Sequence, residues 1–184
     1  MKTINKFNTS AVSPHIDSWS LIDWKKIYEY VKKLRQRIFR AEQLGNKRKV
    51  RKLQRLMIRS NANLLLSIKR VTQINKGKKT AGVDGQIAIT SSDRLRLYNL
   101  LKKYSIKHIR PKPVKRIYIP KKKGKMRPLG IPVIKDRIFQ NIVKNALEPQ
   151  WEAKFEPSSY GFRPKRRTQD AIVNLFAKDR KSVV

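Results

Sequence analysis

The sequence predicts an α+β fold in which a helical region precedes a β-hairpin and further helices. Two observations support this prediction. Between Ile27 and Ala41, apolar residues recur at steps of four, three, four and three, which is the spacing of one apolar stripe along a helix. Between Arg116 and Pro132, two short apolar runs flank a turn rich in lysine and glycine, a pattern typical of a β-hairpin. With 39% hydrophobic residues, the chain has enough core material for one ordinary domain or two small ones.

The N-terminal part of the chain is predicted to be a loose leader followed by helices. Residues 1–18 are polar and aperiodic, whereas residues 19–75 follow the helical spacing of apolar residues. Residues 20–23 are spaced as a capping box, with a hydroxyl at the N-cap and a carboxylate three residues later. The first helix is expected to end at Gly45, and the second helical pattern is expected to bend near Ser60.

The segment 76–184 is predicted to alternate loops and helices around the hairpin. Three glycines lie between residues 77 and 85, where they allow positive φ angles and close backbone approach to a ligand. An ordinary connection is the more common role for such a loop. Helices are predicted over residues 93–105 and 134–147, and Pro149 is expected to break the second of them.

Charge determines the class of partner. The chain has 46 Lys and Arg residues against 12 Asp and Glu, a net charge of +34. A folded protein this basic repels itself unless a polyanion neutralises it, so nucleic acid is the leading partner and a membrane surface a weaker one. Residues 25–59 contain fourteen cations and two glutamates, and residues 107–127 contain ten cations and no acid. Charged helices usually present a solvated face, but the scarcity of acids here favours contact with RNA or DNA.

Other classes of protein are excluded by what the sequence lacks. There is no cysteine, which excludes disulfides and thiolate metal sites, and His15 and His108 lie too far apart in sequence to suggest a metal cluster. No apolar run approaches the roughly 20 residues that span a bilayer. No signal-peptide core follows Met1. We therefore expect no membrane partner and no secretion, with the protein in a bacterial cytoplasm or inside an organelle.

Four segments resemble a known family. RIYIPKKKGKMRPLGIPVIKDRIFQ and FEPSSYGFRPKRRTQDAI resemble the first fingers motifs of reverse transcriptases encoded by group II introns. Upstream, SWSLIDWKKIYEYVKKLRQRIFRAEQLG and SIKRVTQINKGKKTAGVDG are similar to the N-terminal extension and lid loop of those proteins. The resemblance implies a helical extension over residues 19–75, followed over residues 76–184 by the lid loop and incomplete fingers of a right-hand polymerase. It also implies intron RNA as a partner, in splicing and intron mobility, with DNA target or primer as a further partner.

The resemblance implies roles for individual residues. Lys121 and Arg127 are expected to contact the triphosphate of the incoming nucleotide, which suits the point charge of lysine and the forked donors of arginine. Asp84 is interpreted as a turn residue, and Asp136 as a carboxylate at a helix start that pairs with a neighbouring Lys or Arg. The positions expected to contact RNA or template are Gly82, Asp84, Gly85, Lys115, Arg116, Lys122, Lys123, Lys125, Tyr160, Phe162 and Arg163.

No catalytic residue and no metal ligand is predicted in this chain. Polymerases of this family use palm aspartates that converge on two divalent metals, but the sequence contains no Asp-Asp or Asp-x-Asp. It ends where the resemblance would place the palm, so we expect palm and thumb to be absent, Mg²⁺ to belong only to the complete polymerase, and the chain to be inactive alone. Two functions remain open. One is the N-terminal part of a reverse transcriptase/maturase that works with a separate palm-containing chain or as a homodimer. The other is a non-catalytic RNA-binding subunit of a ribonucleoprotein.

Overall fold

A computed structural model describes residues 18–106, 109–121 and 124–179, and these form six α-helices and one two-stranded antiparallel sheet. The helices are α1 (Trp24–Gln43), α2 (Lys47–Arg59), α3 (Asn61–Lys69), α4 (Ser91–Leu101), α5 (Ile134–Lys154) and α6 (Thr168–Asp179). The strands are β1 (Lys115–Pro120) and β2 (Met126–Ile131), and a π-helical turn (Arg70–Ile74) and a 3₁₀ turn (Lys76–Lys79) follow α3. The predicted α+β fold, helical before the hairpin, is confirmed. Most of the predicted leader (residues 1–17) lies outside the described residues, as do Lys122 and Lys123.

Helix α5 lies at the centre of the molecule and packs against α1, α2 and α3. The buried side chains of α1 are those of the predicted apolar stripe: Ile27, Val31, Leu34, Ile38 and Ala41. Helix α3 is buried along nearly its whole length, and α4 packs on it. The fully buried Asn63 of α3 is a polar side chain within this core. Its Nδ2 donates to the carbonyls of Met57 (3.0 Å) and Ile142 (3.2 Å), and these hydrogen bonds link the end of α2 to the middle of α5.

The helix predicted over residues 93–105 is α4, which begins earlier, at Ser91, and ends earlier, at Leu101. The predicted capping box before α1 is wrong. Asp23 is itself the N-cap of α1 and accepts from the Lys26 N–H at 3.1 Å, whereas the Ser20 hydroxyl bonds to Ser18 at 2.6 Å. The first helix ends before Gly45, whose φ of +66° is the left-handed conformation that glycine adopts at low cost. The predicted bend at Ser60 is a full break, because its extended backbone separates α2 from α3.

Pro149 does not break α5, contrary to the sequence prediction. The helix runs on to Lys154 with Pro149 buried inside it. Proline removes one helical N–H and costs about 3 kcal/mol in a helix interior, so tertiary contacts must offset that cost. Side chains on both sides of the proline supply such contacts: Glu148 pairs with Arg35, and Gln150 donates to Glu42 at 3.0 Å.

Candidate nucleic-acid interface

Helices α1 and α2 present a dense set of exposed cations. The apolar stripes of both helices face the core, which leaves the basic residues on the outside. Of the two acids in these helices, Glu42 faces α5, where it accepts from Gln150 and pairs with Lys154 at 3.3 Å. The exposed cations are Lys25, Lys26, Lys32, Lys33, Arg37, Arg40, Lys47, Arg48, Lys49, Arg51, Lys52, Arg55 and Arg59.

Most acids of the described residues bond to other parts of the fold and offset little of this outer surface, although Asp23, the N-cap of α1, also pairs with the exposed Lys26 at 3.2 Å. Some cap or stabilise backbone turns by accepting from N–H groups, and others form ion pairs between elements. Asp136 is an example that corrects the sequence interpretation, because its buried carboxylate accepts from the Lys112 backbone N–H at 2.9 Å and not from a neighbouring cation. The acids with such roles are Asp23, Glu42, Asp84, Asp93, Asp136, Glu148, Glu152 and Asp170.

The tip of the hairpin carries cations on a turn that the backbone fixes. The Lys121 N–H donates to the Lys125 carbonyl at 2.7 Å, which places these two residues opposite each other just beyond the strand ends. Gly124 has a φ of +71°, a conformation that favours glycine and that lets the chain reverse here. Both lysines are exposed. The described part of the tip therefore fixes the positions from which two positive charges project into solvent.

The two faces of the hairpin carry different cations. In the antiparallel register Arg127 lies opposite Ile119 and Lys115 opposite Ile131, and these pairs share one face. Arg116, opposite Gly130, lies on the other face. The sequence prediction assigned Arg127 to the nucleotide triphosphate and grouped Lys115 with Arg116 as contacts to RNA or template. Because successive side chains in a strand point to opposite faces, Arg127 and Lys115 can act together, and Arg116 faces away from them.

The predicted lid loop packs tightly against the junction of β2 and α5. Gly82 is buried and packs directly against Val133, so a Cβ atom added at Gly82 would lie 2.7 Å from the Val133 Cα. Asp84 accepts from the Gln86 N–H at 3.2 Å, which agrees with its interpretation as a turn residue. Gly85 has a φ of +67°. The structure thus brings the lid loop and the base of the hairpin together.

Arg137 is a positioning residue that the sequence interpretation missed. Its guanidinium donates to the carbonyls of Pro132 (2.9 Å), Gly77 (3.1 Å) and Thr80 (2.5 Å), and so fastens the lid loop to the hairpin base. Burial lowers the pKa of Arg137, and the nearby charge of Asp84 works in the opposite direction. In the sequence, Arg137 is only an arginine in the first turn of a predicted helix, and that pattern is too common to identify a positioning residue.

The loop before α6 is held by Arg163. Its buried guanidinium binds the Glu152 carboxylate (2.6 Å from Nη2) and the carbonyls of Glu156 and Ser159 (both 2.7 Å from Nη1). The hydrogen bond with Glu152 raises the pKa of Arg163, and burial offsets this only in part. Because these internal partners occupy its donors, a contact of Arg163 with template stays a prediction that competes with them.

The two aromatic residues of the same loop differ in environment. The Tyr160 hydroxyl accepts from Asn174 Nδ2 at 2.6 Å, and the Arg166 guanidinium lies 5.2 Å from its ring centre, so Tyr160 is partly engaged within the chain. Phe162 is fully exposed, and its φ of +56° is uncommon for a residue other than glycine. Of the two, Phe162 is the one free to stack on a base.

The predicted site residues fall into two groups at different ends of α5. The hairpin and the lid loop meet the start of α5 at Ile134, whereas Arg163 is anchored at Glu152. At 1.5 Å per residue these anchor points are about 27 Å apart along the helix axis. Among the described residues, no group of three or more His, Cys, Asp or Glu side chains could hold a metal ion, so this part of the chain does not fit the metal centre of a polymerase. None of its helices has the length and apolarity needed to cross a bilayer.

Comparison with known proteins identifies the same two regions. A family model described as the N-terminal domain of reverse transcriptase matches residues 19–101, and one described as reverse transcriptase (RNA-dependent DNA polymerase) matches residues 119–184. Protein YkfC of Escherichia coli strain K12 is 42% identical over 124 residues, which cover 66% of this chain and 32% of that protein.

Two further relatives carry names that refer to introns or maturases. Maturase-like protein 1 of Euglena gracilis is 32% identical over 153 residues, covering 82% of this chain and 33% of that protein. Group II intron-encoded protein LtrA of Lactococcus lactis subsp. cremoris is 38% identical over 102 residues, covering 55% of this chain and 17% of that protein. The chain thus spans a third or less of the length of these relatives. Because the two models match it in the order of its helical and hairpin regions, the chain belongs to the family of group II intron-encoded reverse transcriptases and maturases.

Proposed function

We propose that this chain binds the structured RNA of a group II intron through the cations of α1, α2 and the hairpin, and that it thereby assists splicing and intron mobility. The observation that carries the proposal is the excess of exposed positive charge. Apart from Arg35, the cations of α1 and α2 are exposed, and among the exposed ones only Lys26 pairs with an acid of the described residues (Asp23). Most other described acids are engaged in caps, turns or contacts between elements. Such a surface binds phosphates by releasing counterions. The names of two relatives, a maturase-like protein and a group II intron-encoded protein, agree with this partner.

In a complete enzyme, the hairpin would contribute contacts to the incoming nucleotide. Lys121 at the tip and Arg127 on β2 are both exposed and flank the same fixed turn, so both can reach a triphosphate bound against it. The lid loop and Phe162 would lie along the template. Arg163 would position Phe162, since its own donors are occupied. Because the chain spans about a third of the length of YkfC, RNA-directed DNA synthesis is proposed for the complete enzyme only.

The metal centre of that enzyme would come from other residues. Mg²⁺ supplies charge stabilisation in nucleotidyl transfer, and we propose that a palm region, in the same polypeptide or in a partner polypeptide, provides its carboxylates. The exposed apolar side chains of α6 support a partner of this kind, since each is about half exposed or more: Ile172, Val173, Leu175 and Phe176. DNA target or primer is a further proposed partner.

RNA binding is tested by filter binding of group II intron RNA over a range of KCl concentrations. We expect binding at moderate salt and a steep linear fall of log Kobs with log[KCl], because each phosphate contact releases counterions. A parallel series with a less basic control protein measures nonspecific binding of the RNA. Affinity that does not change with salt would contradict the proposal.

The role of Arg127 is tested in a polymerase completed by a palm-containing polypeptide. We expect Arg127→Ala to leave intron RNA binding within about twofold of wild type and to lower nucleotide incorporation about a hundredfold, the scale seen when one donor that stabilises developing charge in a transition state is removed. Arg96→Ala, at an exposed position on α4 outside the hairpin, is the matched control. Normal incorporation by the Arg127 variant would refute its contact with the triphosphate. If the completed enzyme incorporates no nucleotide, the non-catalytic RNA-binding function is the better description.

A further inference from the structure

A cleft of about 660 Å³ lies between α1, the π-helical turn, α5 and the loop before α6. Its volume is within the range of sites that bind small ligands or single nucleotides. None of the candidate residues of the hairpin or lid loop lines it. Its walls combine cations, amides and exposed apolar side chains, and the residues that matter here are Tyr28, Lys32, Arg70, Ile74, Asn145 and Phe162.

The cleft carries an excess of positive charge. Lys32, Arg70 and Lys144 are exposed on its walls. Its acid, Glu148, is already paired with Arg35 at 2.5 Å and lies 3.5 Å from Lys144. Among the residues that line the cleft, no acidic side chain therefore pairs with Lys32 or Arg70. Both cations can bind anionic groups of a ligand.

The floor of the cleft offers a fixed hydrogen-bond acceptor. Asn63 donates from Nδ2 to two backbone carbonyls, so its Oδ1 must be an acceptor, and it accepts from Asn145 Nδ2 at 2.7 Å. This chain of bonds fixes the orientation of the Asn145 amide. Among the described residues, no donor bonds to the Asn145 Oδ1, which therefore remains available to an N–H group of a ligand.

The rim of the cleft supplies exposed apolar surface. Tyr28 is 45% exposed and Ile74 52% exposed, and Phe162 is fully exposed. The neighbouring Arg163 holds the Phe162 backbone in place through its bonds to Glu152, Glu156 and Ser159. An aromatic side chain held at the mouth of a basic cleft provides a stacking surface for a base.

We propose that this cleft binds an unstacked nucleotide of single-stranded RNA. The base lies against Phe162 and donates to Asn145 Oδ1, and the flanking phosphates contact Lys32 and Arg70. A folded duplex cannot enter, because its bases are stacked and paired. The inference rests on the proposed RNA-binding function and adds to it a site that selects single strands.

The test measures fluorescence anisotropy of a labelled oligoadenylate and of a blunt RNA duplex of equal length, with the full chain at one salt concentration. We expect Phe162→Ala to weaken oligoadenylate binding about tenfold, the usual effect of removing a stacked aromatic. Arg70→Ala should weaken it through the loss of a phosphate contact. Both variants should change duplex binding less than about twofold. Phe176→Ala and Arg96→Ala are matched controls, because both residues are exposed and lie outside the cleft and outside α1, α2 and the hairpin. Circular dichroism checks that each variant is folded.

The outcomes separate the cleft from the general RNA-binding surface. Selective loss of oligoadenylate binding in the cleft variants supports the proposal. Equal losses in cleft and control variants, or equal losses for single strand and duplex, overturn it while leaving RNA binding by the basic helices intact. Failure of the wild-type chain to bind either RNA overturns both proposals.

Discussion

At the scale of single residues, Gly82 is the position where the fold allows no side chain. Its missing Cβ leaves room for Val133, whose Cα and N atoms would lie 2.7 and 2.8 Å from a methyl group placed there. Both are backbone atoms at the junction between β2 and α5, so neither can rotate away as a side-chain end would. The lid loop therefore depends on Gly82 for its close approach to the fingers.

We expect Gly82→Ala to lower the free energy of unfolding by about 1–3 kcal/mol, the usual cost of forcing extra volume into a packed site. It should also speed amide hydrogen exchange in the lid loop. Urea denaturation and exchange measured by mass spectrometry test both effects. Gly77→Ala is the control, since a Cβ there meets no atom within 4 Å, and a change below about 0.5 kcal/mol is expected. Equal effects of the two substitutions would contradict this account of Gly82.

At the scale of elements, the contact between α1 and α5 includes a half-buried ion pair that depends on pH. Burial by itself would raise the pKa of Glu148, but the hydrogen bond and charge of Arg35, together with Lys144, outweigh it and lower the pKa below the usual 4.5. A carboxylate whose pKa is lower in the folded state stabilises the fold above its unfolded pKa. That contribution is lost as the pH falls through the folded pKa.

We expect Glu148→Gln to lower the free energy of unfolding at pH 7 by about 1 kcal/mol. Below pH 4.5 the wild-type protein loses this advantage, so the two stabilities should converge. Urea unfolding between pH 7 and pH 3 measures the difference. Glu29→Gln, at an exposed position on α1, is the control and should leave the stability at pH 7 nearly unchanged. A constant difference between wild type and Glu148→Gln at all pH values would rule out the proposed linkage.

The elements also show how far the sequence predicts the fold and where tertiary contacts take over. The stripe from Ile27 to Ala41 and the hairpin were predictable, because local periodicity and turn residues specify them. The continuation of α5 past Pro149 was not, since contacts with α1 and α2 offset the lost hydrogen bond. The position of the lid loop depends on Arg137, whose three carbonyl partners are distant in sequence or lie in a loop. No local pattern records such contacts.

The candidate site was predictable in its chemistry but only partly in its geometry. Cations at the hairpin tip follow directly from the sequence, whereas their division between two faces follows from the register of β1 and β2. Arg163 was predicted to contact template from its place in a motif, and its side chain is bound within the loop. No sequence pattern predicted the cleft, because α1, the π-helical turn and α5 are brought together only by folding.

At the scale of the whole molecule, the net charge of +34 affects folding and binding in opposite ways. Exposed cations of α1 and α2 repel one another in the free protein, and this repulsion destabilises the fold. The same cations attract RNA phosphates. Salt screens both interactions, with a Debye length of about 10 Å at 0.1 M. Screening should therefore stabilise the free protein and weaken its complex with RNA.

We expect the melting temperature of the free chain to rise, and its affinity for intron RNA to fall, as KCl is raised from about 0.05 to about 0.3 M. Arg48, Lys52 and Arg55 lie on one exposed face of α2, at spacings of four and three residues. Replacing all three by glutamine should raise the melting temperature at low salt. It should also reduce the slope of log Kobs against log[KCl] by roughly 2–3, since each lost phosphate contact removes about 0.7–0.9. A charge-conserving variant (Arg48→Lys, Lys52→Arg, Arg55→Lys) should keep the wild-type slope. If the glutamine variant keeps that slope as well, this face of α2 does not contact RNA phosphates, and the binding surface must lie on α1 or the hairpin.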